Sequence, residues 1–367
     1  MQRSTSMWTT CLLAVALLAS CKKDSNPSTP SYNVPATYNF APADSLKAKT
    51  ILSMIGEMEN LINTANSGAT ISASQLKGMY ANTGSYFTDT TFSGTILQLN
   101  SSGISLQSLT TSSAQPFILS ILDSIAANSA SKVAAADGVA GVSERKTLLS
   151  ANGIYWRQLF TKTMMGVVIG HLTTDVFLKD SLTVADNNAK AHAWDNAFFL
   201  WSVPANFPSN RVGVKYWGSY TSQIDSGLVK PVVNLTGVAA NTTLLSAFTT
   251  GRAATGANDL VTAQKQAGII INTFEKMETA AILHELNEAK GNLANGASAV
   301  VGNLSESLGF VQALKYNTQR NKVTDAQVAA IETMYGTNLY DVTPTQIDNI
   351  INVLSALYGW DSVKSYL

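Results

Sequence analysis

The clearest candidates for chemistry in this 367-residue sequence are its few histidines and the carboxylates beside them. The chain has three histidines, and His192 precedes Asp195 by three residues in a segment predicted to be helical. Such residues share one face of a helix, where they could supply two ligands to iron or zinc, or an acid–base pair. The alternative is a hydrogen bond that fixes the helix in the core. Spacing favours this alternative, because two ligands do not complete a metal site.

The residues around the other two histidines favour a role other than chemistry for each of them. His284 is followed by Glu285 and then by Glu288, a pattern typical of the solvated side of an amphipathic helix. His171 lies in an apolar segment four residues before Asp175, which predicts a core histidine with a satisfied hydrogen bond.

Two lone charges, Arg252 and Glu306, stand in apolar or small-residue surroundings. Arg252 could clamp the carboxylate of a ligand, or that of Glu275 or Glu306. A ligand site is expected where the helix carrying His192 and Asp195 faces the helices carrying Arg252 and Glu306. The alternative is a closed network joining His192 to Asp195 and Arg252 to Glu306. We favour the closed network, because no further ligands are evident in the sequence.

Seven aromatic side chains lie between Trp194 and Trp217, beside a loop with two prolines. Clusters of this kind usually pack a core. The alternative is a pocket for a flat or sugar-like ligand, lined by Trp194 and Trp217. Signatures of hydrolases, zinc peptidases and phosphate-binding loops are absent from the sequence. The residues therefore favour a binding protein over an enzyme and identify no cofactor.

Apolar residues recur at helical spacing along most of the chain. The pattern predicts an all-α fold, a helical bundle or two fused bundles, with at most a short N-terminal strand near residues 38–40. The 24 basic and 24 acidic residues leave no net charge for binding nucleic acid. The predicted helices are 45–65, 115–127, 155–178, 187–202, 212–227, 239–252, 257–289, 297–315, 324–335 and 344–357.

The N-terminus predicts a bacterial lipoprotein. An uncharged apolar run from Cys11 to Ala19 follows Arg3 and ends in Leu-Ala-Ser-Cys at Cys21. This run is too short to span a bilayer and has the length of a signal-peptide core. We predict a signal peptide at 1–20, a lipid on Cys21, a flexible tether at 21–37 and a helical domain at 38–367. The alternative is an ordinary secretory signal with an incidental cysteine.

Lipidation at Cys21 would place the protein on a membrane of the cell envelope. Lys22 follows the cysteine, which permits delivery to the outer membrane, on either its periplasmic or its surface face. The sequence has two cysteines, Cys11 and Cys21. Loss of the first with the signal and lipidation of the second would leave no thiol for a disulfide or a metal.

Several runs resemble an uncharacterised lipoprotein family, a domain of unknown function that is distantly similar to imelysin. The resemblance implies an all-helical envelope protein. The resembling runs are 148–153 (LLSANG), 192–198 (HAWDNAF), 216–218 (YWG), 251–254 (GRAA) and 304–310 (LSESLGF).

Imelysin-like proteins are linked to iron acquisition and are classed as candidate metallopeptidases with a Gly-x-His-x-x-Glu motif. The resemblance implies that His192 is the motif histidine and that Asp195 replaces its glutamate. Lys190 replaces the glycine, and Ala193 and Asn196 stand where family members carry His and Glu. These departures favour a non-enzymatic binding protein for iron or another nutrient. The alternatives are an imelysin-like metallopeptidase and a structural or partner-binding subunit of an envelope assembly.

Overall fold

Most of the predicted apolar stripes form helices in the computed structural model, which describes residues 32–41, 43–92, 95–226 and 239–367. This part of the chain contains twelve α-helices and two small antiparallel hairpins, so the fold is all-α as predicted. The helices are α1 Leu46–Ala65, α2 Ala73–Ala81, α3 Leu106–Leu109, α4 Gln115–Ser129, α5 Trp156–Met164, α6 Asn187–Leu200, α7 Tyr216–Ser226, α8 Ala240–Gly256, α9 Leu260–Gly291, α10 Ala297–Tyr316, α11 Asp325–Met334 and α12 Pro344–Tyr358.

The long helix α9 forms the centre of a compact unit from Val34 to Leu367. It packs between α8 and α10, and α12 also contacts it. Helix α10 packs on α5, while α6 lies against both α1 and α8. The prediction of a solvated His284 is wrong, because these neighbours cover even the polar side of α9 and leave the residue only 7% exposed.

Local capping explains where the last two long helices begin. Thr324 and Thr343 each accept a hydrogen bond from the backbone of a glutamine three residues on, and that glutamine bonds back to the threonine. These capping boxes satisfy backbone groups that a helix start leaves free. The helix start predicted at residue 344 is confirmed, with Thr343 as the N-cap and Pro344 in the first turn. The helix predicted from residue 324 begins one residue later, at Asp325, because Thr324 is the N-cap.

The predicted helix 155–178 is regular only in its first part. After α5, the chain continues as π-helical turns over Met165–Gly170 and Leu172–Phe177. His171 joins the two turns, and its Nδ1 lies 2.8 Å from Asp175 Oδ2. This contact agrees with the predicted structural histidine. Apolar periodicity cannot distinguish π from α turns, because both bury the same residue types.

The described residues contain four short strands, and none of them lies at the predicted position near residues 38–40. The hairpins pair β1 Thr90–Phe92 with β2 Thr95–Leu97, and β3 Gly141–Val142 with β4 Leu148–Leu149. At the predicted N-terminal strand, the Tyr38 amide donates one backbone hydrogen bond to Ala205 O over 3.0 Å. No strand forms within residues 32–41.

The predicted signal peptide and Cys21 lie outside the described residues, as does most of the predicted tether. Across the described ranges, no helix combines the length and the apolar character needed to cross a bilayer. The predicted tether and domain boundaries stay predictions.

Candidate functional site

The predicted site residues Asp195 and Arg252 meet across two helices. Arg252 on α8 donates from Nε to Asp195 Oδ1 on α6 over 2.7 Å. Two further donors reach the same carboxylate from the N-terminal segment, the Tyr38 hydroxyl at 2.7 Å and the Asp44 amide at 3.1 Å. Asp195 is only 1% exposed. These four residues, here called the Asp195 cluster, satisfy the carboxylate with protein donors alone.

A close approach of α8 to α6 makes this ion pair possible. A Cβ on Gly251 would lie 1.9 Å from the Trp194 ring, so this position accepts only glycine. Trp194 is fully buried and donates its indole N–H to Phe248 O over 2.8 Å. Trp217 is equally buried and donates to Met165 O over 2.9 Å. Both indoles therefore belong to the core, and a ligand-binding role for them stays a prediction.

The predicted pairing of Arg252 with Glu275 or Glu306 is wrong. Arg252 binds Asp195, whereas Glu275 accepts hydrogen bonds from the backbone of residues 321–323 and holds that loop on α9. Glu306 lies in a different group of side chains. Arg252 therefore forms an ion pair within the protein, but with Asp195 rather than with the predicted Glu306.

His192 lies at the edge of the Asp195 cluster. Its Nδ1 is 3.3 Å from Asp44 Oδ2, and its side chain is 54% exposed. The predicted hydrogen bond from His192 to Asp195 is wrong, because the imidazole contacts Asp44 instead. Within the described ranges, no three or more His, Cys, Asp or Glu side chains are grouped to hold a metal ion. Metal binding by His192 and Asp195 stays a prediction.

Glu306 lies in a second group of polar side chains, buried between α5, α7, α9 and α10. Its Oε1 is 2.8 Å from Lys162 Nζ and accepts a hydrogen bond from the Tyr220 hydroxyl. The same hydroxyl is 3.0 Å from Glu285 Oε1. A Cβ on Gly309 would lie 2.7 Å from Lys162 Cβ. The glycine thus lets α10 approach α5 and brings Lys162 to Glu306.

Burial sets the proton distribution in this group. Desolvation, followed by the neighbouring Glu306 charge, raises the pKa of Glu285 to about 8. Desolvation and both carboxyl groups also raise the pKa of Tyr220 well above its usual range. A phenol carries one proton and can donate to only one carboxyl group. We infer that at neutral pH Tyr220 donates to Glu306, while Glu285 is protonated and makes the other contact.

This group borders a pocket of about 430 Å³ between α1, α5, α7 and α10, within the range of small-molecule sites. We call it the polar pocket, because charged and hydrogen-bonding side chains supply most of its walls. Its lining residues are Gly56, Glu59, Asn60, Arg157, Thr161, Lys162, Lys215, Tyr216, Ser219, Tyr220, Gln223 and Glu306.

Both carboxylates of the polar pocket are already paired with cations. Arg157 Nη2 lies 2.5 Å from Glu59 Oε1, and Lys162 pairs with Glu306. The ammonium group of Lys215 forms no ion pair within the described part of the chain. The lining therefore carries one positive charge more than its acidic residues neutralise.

Two lining residues have buried polar atoms that find no hydrogen-bond partner among the described residues, Thr161 Oγ1 and Arg157 Nε. They lie one helical turn apart on α5, so they share a face of that helix. Buried polar groups in folded proteins nearly always have partners, and each exception requires an explanation. Both atoms are shielded from solvent, so a ligand in the pocket would provide them with partners once the two side chains turn toward the cavity.

Backbone strain marks the same pocket. Tyr216, the first residue of α7, has φ +45°, a region that costs an aromatic residue about 1–3 kcal/mol. Such strain concentrates at binding and active sites, where the surrounding structure holds it. The predicted helix 212–227 in fact begins at this residue.

Glu306 was a candidate site residue in the sequence, whereas its partners Lys162 and Tyr220 were not. Lys162 is the one Lys, Arg, Asp or Glu between Arg157 and Asp175. This is the same signal of a lone charge in apolar surroundings that identified Arg252. Thr161 and Tyr220 carry no such signal, because threonine and tyrosine are common in buried helices.

Comparison of the chain with curated proteins and with solved structures found no match. A family model described as a domain of unknown function (DUF4856) matches residues 35–361, so the chain belongs to this family, as the resemblance predicted.

Proposed function

We propose that this protein is an envelope lipoprotein that binds a small polar ligand in the polar pocket without transforming it. The observation that carries the proposal is the pair of unpartnered buried atoms, Thr161 Oγ1 and Arg157 Nε, in the wall of an open cavity. A purely structural cavity has no need of these groups, and leaving each unsatisfied costs about 1–3 kcal/mol.

The arrangement supports binding better than catalysis. Each acidic residue of the lining is engaged by a cation, Glu59 by Arg157 and Glu306 by Lys162. These ion pairs leave no carboxylate of the lining free to act as a general base. Glu285 has a raised pKa but lies behind Tyr220 rather than in the lining. A role in the uptake of a nutrient fits these features.

The test is ligand retention by the full chain, compared between wild type and Thr161→Val. Valine keeps the shape of threonine and removes only the hydroxyl. The substitution should weaken retention and leave the stability of the ligand-free protein unchanged, because the hydroxyl has no protein partner to lose.

Lipid attachment at Cys21, and through it residence at the outer membrane, belongs to the same proposal. The supporting features are the apolar run from Cys11 to Ala19 and the Leu-Ala-Ser-Cys sequence that follows. We also propose that the protein is distantly related to imelysin and takes part in iron acquisition. The support is the resemblance of runs such as 192–198 (HAWDNAF) and 304–310 (LSESLGF).

We expect Cys21→Ala to abolish lipidation, because the alanine offers no thiol for acylation. The measurement is incorporation of a labelled fatty acid in growing cells, with the wild-type protein as the positive control. Label retained by the Cys21→Ala protein would contradict the lipoprotein assignment.

A further inference from the structure

We propose that the polar pocket recognises a carboxylate, held by Arg157, Thr161 and Lys215. This inference rests on the proposed binding function and specifies the chemical class of the ligand. It starts from the groups that the protein leaves unsatisfied around the pocket, since a ligand must complement these groups.

The unsatisfied groups are hydrogen-bond donors. Arg157 Nε carries one N–H that can only donate. Thr161 Oγ1 can donate as well, and the residue is only 3% exposed. Its oxygen is shielded from solvent, but a change of rotamer exchanges the positions of its hydroxyl and methyl groups. The Lys215 ammonium adds up to three donors at the rim. A ligand that satisfies all three residues must present acceptor oxygens.

The charge of the pocket selects among acceptors. The lining holds three cationic residues, which are Arg157, Lys162 and Lys215, and two anionic residues, Glu59 and Glu306. Because the two anions are paired, one positive charge is left for a ligand. A monoanion neutralises it, whereas a phosphate dianion leaves an excess negative charge beside Glu306. The balance therefore favours a carboxylate over a phosphate.

The geometry of the donors agrees with a carboxylate. Arg157 uses Nη2 on Glu59, and its buried Nε reaches a ligand once the side chain turns toward the cavity. One carboxylate oxygen can accept from Arg157 Nε and the other from Thr161, since the two residues lie one helical turn apart. Lys215 precedes the strained Tyr216 at the start of α7 and can approach from the opposite wall.

The experiment uses the smallest matched probes, acetate and acetamide, with the full-length protein. Arginine Nε–H groups give separate signals in ¹H–¹⁵N spectra, and the chain has only six arginines. Arg157→Lys identifies the relevant signal by its disappearance. We expect acetate to shift this signal saturably and acetamide, its neutral counterpart, to leave it in place.

Variants test which residues hold the carboxylate. Lys215→Met should weaken the acetate response roughly tenfold, which is the loss expected for one charge-assisted hydrogen bond. Lys215 is exposed, so this variant should fold normally. Thr163→Val is the matched control for Thr161→Val, because Thr163 Oγ1 is also unpartnered but lies outside the lining. Of these two threonine variants, only Thr161→Val should weaken the acetate response.

Three outcomes would overturn the inference. Equal shifts with acetamide would show a pocket that binds ligands without selecting the carboxylate, which leaves the proposed function standing. Tighter binding of inorganic phosphate than of acetate would show a site for dianions. If acetate does not shift the Arg157 signal, the polar pocket does not bind a carboxylate.

Discussion

Arg252→Met should lower the free energy of unfolding by about 3–5 kcal/mol, the usual cost of stranding one partner of a buried ion pair. The substitution leaves the Asp195 carboxylate, which is 1% exposed, with only the Tyr38 hydroxyl and the Asp44 amide as donors. Methionine keeps most of the volume of arginine, so lost packing contributes little. Chemical denaturation measures the loss.

Two comparisons identify the cause of that loss. Combining Arg252→Met with Asp195→Asn should cost less than the sum of the single substitutions, because the amide no longer carries the stranded charge. Lys77→Met breaks an exposed ion pair with Asp123, whose side chains are 41% and 53% exposed, and should change stability by less than about 1 kcal/mol. If Arg252→Met costs no more than Lys77→Met, the Asp195 cluster is not a structural ion pair.

Two buried glutamates should destabilise the protein progressively as the pH rises from about 5 to about 8, because they keep their protons only in the folded protein. Desolvation raises the pKa of both Glu278 and Glu285 to about 8. Between the unfolded pKa of about 4.3 and the folded value, the folded state binds more protons. Each group therefore contributes stability that is present in acid and is lost as the pH rises through its folded pKa.

Glu278→Gln and Glu285→Gln isolate these two contributions, since glutamine keeps the shape of the neutral acid and cannot ionise. The stability of each variant relative to wild type should rise by about 1.4 kcal/mol per pH unit across the middle of this range. Denaturation series at several pH values measure the slopes. Parallel profiles for wild type and variants would show that these carboxyl groups ionise alike in the folded and unfolded chain.

Helices with a clear apolar stripe could be predicted from the sequence because their own residues determine them. Helix α1, with Ile51, Ile55, Met58 and Ile62 buried, is one example. The short helices α2 and α3 were missed, since four to nine residues give too little periodicity to recognise. The π turns after α5 were missed because they bury the same residue types as an α-helix.

Ion pairs between residues on different helices could not be predicted from the sequence. Asp195 and Arg252 are 57 residues apart, and nothing in their local patterns indicates that Gly251 lets their helices approach. Each lone charge does have a partner, as its apolar surroundings predicted, but the partner of Arg252 is Asp195. His284 was misjudged for a similar reason, because its burial depends on neighbouring helices rather than on its own polar flank.

The polar pocket could not be predicted because its defining property is a lack of partners. A threonine hydroxyl without a hydrogen bond looks like any other threonine in a sequence. Only the packed structure shows that Thr161 Oγ1 and Arg157 Nε are buried and unpartnered beside a cavity. Unsatisfied donors in a pocket wall are therefore the observation on which the binding function depends.

Native mass spectrometry of the full chain purified from its own cells tests the binding function most directly. Wild type should retain a low-molecular-mass ligand. Thr161→Val should lose it through a roughly three- to tenfold fall in affinity, the value of one neutral hydrogen bond. Thr163→Val should retain it like wild type, and both variants, freed of ligand, should melt no lower than ligand-free wild type. A wild-type protein that carries no ligand, or equal losses in both variants, would contradict a ligand site in the polar pocket.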